Sequence, residues 1–228
     1  IALVDPAPFG TNDDTTTTTS PIIHMAWIEE VGVAAGRVYS GGATPTYDVK
    51  YARSVDGGKT FGAASSISPS SASGSITYFP LTTGTEFSYS TLDLEVDSAG
   101  NPRVVYAFIS TADRARNRNV YLSYSEDGGG SWKGPVVVND ASTVGNTEGR
   151  NTAFPRMAID DRNNIFITYV RGLTSLVSTS DVMVAKVNRI PDPFAILPVG
   201  ESGTTGTGGV RIGPDGDRHM GPDLAIGD

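Results

Sequence analysis

Two octets of the 228-residue sequence place a carboxylate, two hydroxyls, glycines and an aromatic ring at fixed spacing. They are Ser54-Val55-Asp56-Gly57-Gly58-Lys59-Thr60-Phe61 and Ser125-Glu126-Asp127-Gly128-Gly129-Gly130-Ser131-Trp132. The chemistry this spacing supports is local: the aspartate accepts hydrogen bonds from turn amides, glycines admit positive φ, and the aromatic packs back on a hairpin. Ser54, Asp56, Gly58 and Phe61, with Ser125, Asp127, Gly129 and Trp132, are therefore read as structural, and neither aspartate is a catalytic candidate.

Other sets are sparser. Arg114, Arg116 and Arg118 concentrate three guanidinium groups in an acidic chain and could grip carboxylates or another subunit, although solvation of an exposed loop is the plainer reading. Asp215, Asp217 and Asp223 crowd a short segment where hard oxygen ligands could take calcium. Their spacing is not that of an EF-hand loop, and a solvated acidic turn is the plainer reading. His24 lies in an apolar stretch and reads as a core histidine, and His219 is isolated. With two histidines and no cysteine there is no transition-metal spacing and no disulfide framework. Asp-Gly-Gly sits between strand patterns rather than before a helix, so no phosphate loop is expected and no cofactor is called for.

The elements that must carry these residues are strands. Leu92 to Asp97 alternates, Ser98-Ala99-Gly100-Asn101 supplies turn chemistry, and Arg103 to Phe108 is β-prone. A third strand from Asn119 to Ser125 leads into the second octet, and Pro135 to Val138 closes the unit. The same order returns at Arg156 to Asp160, Ile165 to Val170 and Asp181 to Val187, and upstream at Pro21 to Trp27 and Asp48 to Ser54. The period is on the order of 65 to 70 residues. This predicts an all-β fold of four-stranded antiparallel blades, with units at approximately 1–68, 75–140 and 150–200 and a partial fourth at 217–228.

Both octets fit Ser-x-Asp-x-Gly-x-Ser/Thr-aromatic, which resembles the Asp box, or bacterial neuraminidase repeat, of sialidase-like β-propellers. The resemblance covers about residues 20 to 190 and is sharpest over the octets; the third unit departs from it, with Asn188-Arg189-Ile190-Pro191-Asp192 where a box would stand. It implies a propeller whose boxes lie on the rim away from the ligand face. Three units and a beginning would leave open edges, so the chain is expected to be a piece of a six- to eight-bladed ring completed by further sequence or another chain. The resemblance also implies export to a secreted, periplasmic or cell-surface location. A sialidase would need three arginines, a tyrosine–glutamate nucleophile and an aspartate acid. Arg189-Ile190-Pro191 is out of place for the family's Arg-Ile-Pro motif, and Tyr78, Tyr89 and Glu86 fall in a connecting segment where loop packing explains them.

A net charge of -8 and a pI near 4.7 argue against a nucleic-acid partner. No stretch reaches the roughly 18 apolar residues of a spanning helix. The sequence opens at Ile1, which fits either a removed leader or a piece of something longer. Long segments opposite the boxed turns, at 29–47, 109–118 and 171–180, bear Tyr39 and the arginines, and Tyr78, Phe79 and Tyr89 fall between units. The leading expectation is a non-catalytic module that binds a protein or glycan through that face. The alternative is a sialidase-type exo-glycoside hydrolase whose catalytic set lies partly outside this chain.

Overall fold

The computed structural model describes residues 2–4, 20–39, 42–68, 92–109, 118–139, 152–171, 181–188, 195–198, 210–212 and 224–226. They form three antiparallel sheets, none closed into a barrel, and no helix occurs among them. The first sheet holds β1 (Ala2–Val4), β2 (Ile22–Tyr39), β3 (Gly42–Ser54) and β4 (Ser65–Ser66) in chain order. The second holds β5 (Leu92–Val96), β6 (Pro102–Ile109), β7 (Arg118–Tyr124) and β8 (Lys133–Val137), again in chain order. The third runs β9 (Ala153–Ile159), β10 (Ile165–Arg171), β11 (Asp181–Asn188) and β12 (Ala195–Pro198), and β13 (Val210–Ile212) also pairs with β11. Leu224 to Ile226, within the expected fourth unit, form no strand.

Each sheet is a meander of consecutive antiparallel strands, and at the described connections 97–101, 125–132 and 160–164 Asp, Gly and Asn reverse the chain onto its neighbour. The second sheet is packed on both faces. Val104, Tyr106 and Tyr121 point to the first sheet and join Val49, Tyr51 and Ile67. Val105, Ala107, Val120 and Leu122 point the other way and join Met157, Ile167, Tyr169 and Ala185 of the third. That is why Arg103 to Ala107 are all buried, and why β6 reads as an almost continuous apolar run rather than an alternation.

The segment 29–47, expected to be a loop, is instead mostly strand: β2 and β3 pair from Ile23–Ser54 out to Tyr39–Gly42, with irregularities at Glu30/Gly32 and Ala34/Val38. Val31-Gly32-Val33-Ala34-Ala35-Gly36 is small and glycine-broken, which hides a ladder whose stability lies in backbone pairing. At about 3.3 Å per residue, the part of β2 beyond Glu30 spans roughly 30 Å. Tyr39 therefore ends a strand, and Arg118 opens β7 opposite Ile109 rather than sitting in a loop.

Candidate functional site

The two octets form the same turn. Ser54 Oγ donates to Asp56 Oδ1 (2.7 Å) and accepts the Gly58 amide (2.8 Å), while Thr60 gives its amide to Oδ1 (2.9 Å) and its hydroxyl to Oδ2 (2.6 Å). In the second turn Ser125, Asp127, Gly129 and Ser131 repeat those bonds at 2.7, 2.8, 2.8 and 2.6 Å. The Thr60 hydroxyl and amide, then Ser54, hold the Asp56 carboxyl well below the usual carboxylate range, and Ser131 and Ser125 do the same for Asp127. Each is an ionised acceptor locked to its own turn, with no proton to give. Gly57, Gly58, Gly128 and Gly129 all take positive φ, the geometry the spacing requires.

Their surroundings differ. Arg53 of β3 donates to the Gly128 carbonyl at 2.6 Å, and Trp132 meets the Tyr51 ring edge-on, centroids 4.6 Å apart. Gly129 lies against the Tyr51 hydroxyl so closely that a Cβ would collide with it. Tyr51 in turn is hydrogen-bonded to His24 Nδ1 at 2.6 Å. Burial, and then the nearby Arg53 charge, lower the His24 pKa to about 4. Burial pushes the Tyr51 hydroxyl up to about 12, with Arg53 opposing and Asp127 assisting. At neutral pH this is an uncharged pair sealed between sheets, and it acts as a structural joint. His24 is thus a core histidine, as its apolar strand implied, though Nε2 has no partner among the described residues. Around the first turn, by contrast, Phe61 is 41% and Val55 63% exposed, and among the described residues a Cβ at Gly57 or Gly58 would lie nearest Ser20, Pro21 and Ile23, at the start of their own sheet. Among the described residues, packing of the aromatic onto a neighbouring sheet is seen for Trp132 and not for Phe61.

A second pair of aspartate turns escaped the sequence reading of functional residues. Asp97 Oδ1 accepts the amides of Ala99 (3.0 Å) and Asn101 (2.8 Å), and Asp160 Oδ1 those of Arg162 (3.0 Å) and Asn164 (2.6 Å). Beneath the first lies Arg103, 2% exposed, whose Nη2 donates to Asp97 Oδ2 at 2.8 Å and whose Nη1 donates to the Ser125 carbonyl. The shared signal is Asp-x-x-x-Asn before a β-prone run. Within the second sheet the Gly128 amide donates to Asn101 Oδ1 (2.9 Å), and between the second and third sheets Ser98 gives amide and hydroxyl to Asn163 Oδ1 (3.1 and 3.0 Å). With Arg53 they form a belt of hydrogen bonds along one end of all three sheets.

At the sheets' first strands, Asp93 Oδ2 accepts the Met157 amide at 2.8 Å and so ties β5 to β9. Glu95, two residues on and therefore on the same face, is half-buried, and burial followed by the Asp93 charge pushes its carboxyl up. Arg114, Arg116, Tyr78, Tyr89, Glu86, Asp215, Asp217, Asp223 and His219 lie outside the described residues, as do Arg189 to Pro191. Among the described residues no cluster of His, Cys, Asp and Glu is arranged to hold a metal ion, and no helix is long and apolar enough to cross a membrane.

No protein-family model matches the chain, and no curated protein matches it. Among solved structures it is similar to a polysaccharide lyase of family PL25, an ulvan lyase, bound to -[GlcA(1-4)Rha3S]-, with 12% identity and a TM-score of 0.46 over 84% of this chain and 44% of that one. A second ulvan lyase structure gives 13%, 0.45, 84% and 44%, and a protein of unknown function from Dyadobacter fermentans DSM 18053 gives 13%, 0.42, 77% and 46%. The chain thus spans less than half the length of these structures. Likeness at this level carries no part of the functional reading, which rests on this chain's own residues.

Proposed function

We propose that the chain is part of an exported, sialidase-like β-propeller that acts as a non-catalytic binding module for a protein or glycan. The observation that supports it is the division of labour between the two ends of the sheets. At one end the carboxylates of Asp56, Asp97, Asp127 and Asp160 are consumed by turn hydrogen bonds. At the other emerge the β2–β3 ribbon and the connections 110–117 and 172–180. Long segments carried on a hydrogen-bonded scaffold are where recognition commonly resides. Arg114, Arg116 and Arg118 are the proposed anionic contact, and Tyr78 and Tyr89 the proposed stacking groups. Calcium on Asp215, Asp217 and Asp223 would brace the same protein.

Glycan and protein arrays probed with the chain test this reading. Binding that disappears in the combined Arg114→Ala, Arg116→Ala, Arg118→Ala variant and persists in Asp56→Asn supports it, and the reverse pattern contradicts it. A second reading, a sialidase-type glycoside hydrolase completed by residues beyond this chain, draws support from the raised carboxyl of Glu95 beside the fixed carboxylate of Asp93. Turnover of fluorogenic sialosides that Glu95→Gln abolishes would favour it.

A further inference from the structure

We infer that the outer face of the first sheet carries a binding site for an uncharged pyranose, with the Trp27 indole as its platform and Lys50, Glu29 and Asp48 as its polar rim. This deepens the binding-module reading, on which it rests, by naming a ligand class and a second contact surface.

Strand alternation and pairing bring these side chains together. Ala26 and Ile28 of β2 pack toward the second sheet, so Trp27 and Glu29 lie on the other face. Trp27 stands directly across from Lys50 and Glu29 across from Asp48, and Lys50 is paired in turn with Ser66 of β4. Lys50 Nζ donates to Asp48 Oδ2 at 3.2 Å and lies 3.8 Å from Glu29 Oε2. The Ser66 hydroxyl donates to Asp48 Oδ2 at 3.0 Å, and the Ser68 hydroxyl to Oδ1 at 3.4 Å.

The second sheet shows the same positions when another sheet covers them. Counting from the turn serines, Lys50 corresponds to Tyr121, so the cross-strand trio Trp27, Lys50 and Ser66 corresponds to Tyr106, Tyr121 and Val137. Tyr106 and Tyr121 stack with centroids 5.8 Å apart and join Val137 in the core against the first sheet. In the first sheet an ammonium and a hydroxyl stand at the last two places, beside two carboxylates. A like sheet laid flush on this face would strip water from all three charged groups, at a cost of several kcal/mol per ion. The two tryptophans differ in the same sense. Trp132 meets Tyr51 edge-on within a core cluster, whereas Trp27 belongs to neither cluster and, among the described residues, makes no ring contact or hydrogen bond.

An indole beside such a rim matches the two sides of a sugar. The C–H face of a pyranose is apolar and covers an aromatic ring, while its hydroxyls both donate and accept. Lys50 gives one of its three N–H groups to Asp48, and Glu29 is half-exposed, so a sugar hydroxyl can accept from the ammonium and donate to the carboxylate. Charge sets the class. Two carboxylates against one ammonium leave the rim net negative, which repels sialic and uronic acids and admits a neutral ring.

The test titrates the chain with the methyl pyranosides of glucose, galactose, mannose, N-acetylneuraminic acid and glucuronic acid, up to tens of millimolar. The readout is the pair of indole N–H resonances of Trp27 and Trp132, assigned with Trp27→Phe. The expected result is that at least one neutral glycoside shifts the Trp27 resonance saturably and leaves Trp132 in place, with both acidic glycosides at least about tenfold weaker. Lys50→Met and Glu29→Gln should each weaken the neutral glycoside by about fivefold. Glu29→Gln is at a half-exposed position, so its effect is on binding rather than folding. No response at Trp27, an acidic glycoside binding as tightly as the neutral ones, or affinity indifferent to either substitution overturns the proposal. Array binding that depends on Arg114, Arg116 and Arg118 while Trp27 stays silent removes this site alone, and a Trp27 response with arrays indifferent to those arginines removes only the other surface.

Discussion

The turn at Ser54 to Phe61 and the turn at Ser125 to Trp132 are chemically the same device in two settings. Their internal hydrogen bonds agree to within 0.1 Å (2.7, 2.8, 2.9 and 2.6 Å against 2.7, 2.8, 2.8 and 2.6 Å). One is seated on Tyr51 and Arg53 of a neighbouring sheet, and the other presents Phe61 to solvent. The difference separates what the motif does from what the fold does with it. The aspartate closes the hairpin wherever it occurs. Whether the hairpin then helps hold sheets together depends on a tyrosine and an arginine that the motif does not contain.

The comparison can be broken most sharply at the glycines. Gly129→Ala forces an L side chain into φ 88° and drives its Cβ into the Tyr51 hydroxyl, whereas Gly58→Ala at φ 89° meets, among the described residues, the flexible end of Ile23. Denaturant melts should show a loss of about 4 kcal/mol at Gly129 and about 2 kcal/mol at Gly58. Adding Tyr51→Leu, the residue type at the matching Leu122, should recover part of the first loss and none of the second.

Acid attacks the seated turn through His24. Its pKa is lowered from 6.5 to about 4 in the fold, so between those values the unfolded chain binds more protons and stability falls as pH falls. Both causes persist through this window, since Arg53 stays charged and the site stays buried. The loss approaches about 3 kcal/mol at pH 4. His24→Gln should flatten the stability profile between pH 6.5 and 4. Asp56 and Asp127, whose pKa values are depressed, keep their contribution throughout this window and lose it only in stronger acid.

Trp132→Ala should cost about 2 to 3 kcal/mol, because the indole packs on Tyr51 and joins the core between the sheets, while Phe61→Ala should cost under about 1 kcal/mol. The smallest expected contrast is at the aspartates. Asp56→Asn and Asp127→Asn remove the same set of turn bonds, so their melting temperatures should drop by similar amounts. A much larger drop at Asp127 would mean that the carboxylate itself holds the seam.

The turns were legible in the sequence because every bond they need lies within eight residues, from Ser54 to Phe61 and again from Ser125 to Trp132. The strand order was legible for a similar reason, since Gly100-Asn101 and Asn163-Asn164 punctuate β-prone runs. The seam was not. His24 and Tyr51 are 27 residues apart, Arg53 and Gly128 are 75 apart, and no local pattern selects those partners. Arg103 shows the same limit: its neighbours Val104 and Val105 announce a strand, but only the fold reveals that the guanidinium is buried on Asp97. The β2–β3 ribbon was hidden because small residues and glycines carry little strand preference even where backbone pairing continues.

Amide hydrogen exchange at the two turns tests the central distinction most directly. Gly58 and Gly129 donate the same bond to their serines at the same 2.8 Å, so local bonding alone predicts equal protection. If seating on a second sheet sets the strength of the joint, Gly129 and Ser131 exchange orders of magnitude more slowly than Gly58 and Thr60, and Tyr51→Ala brings the two turns together. Equal protection in the unsubstituted protein would contradict the account.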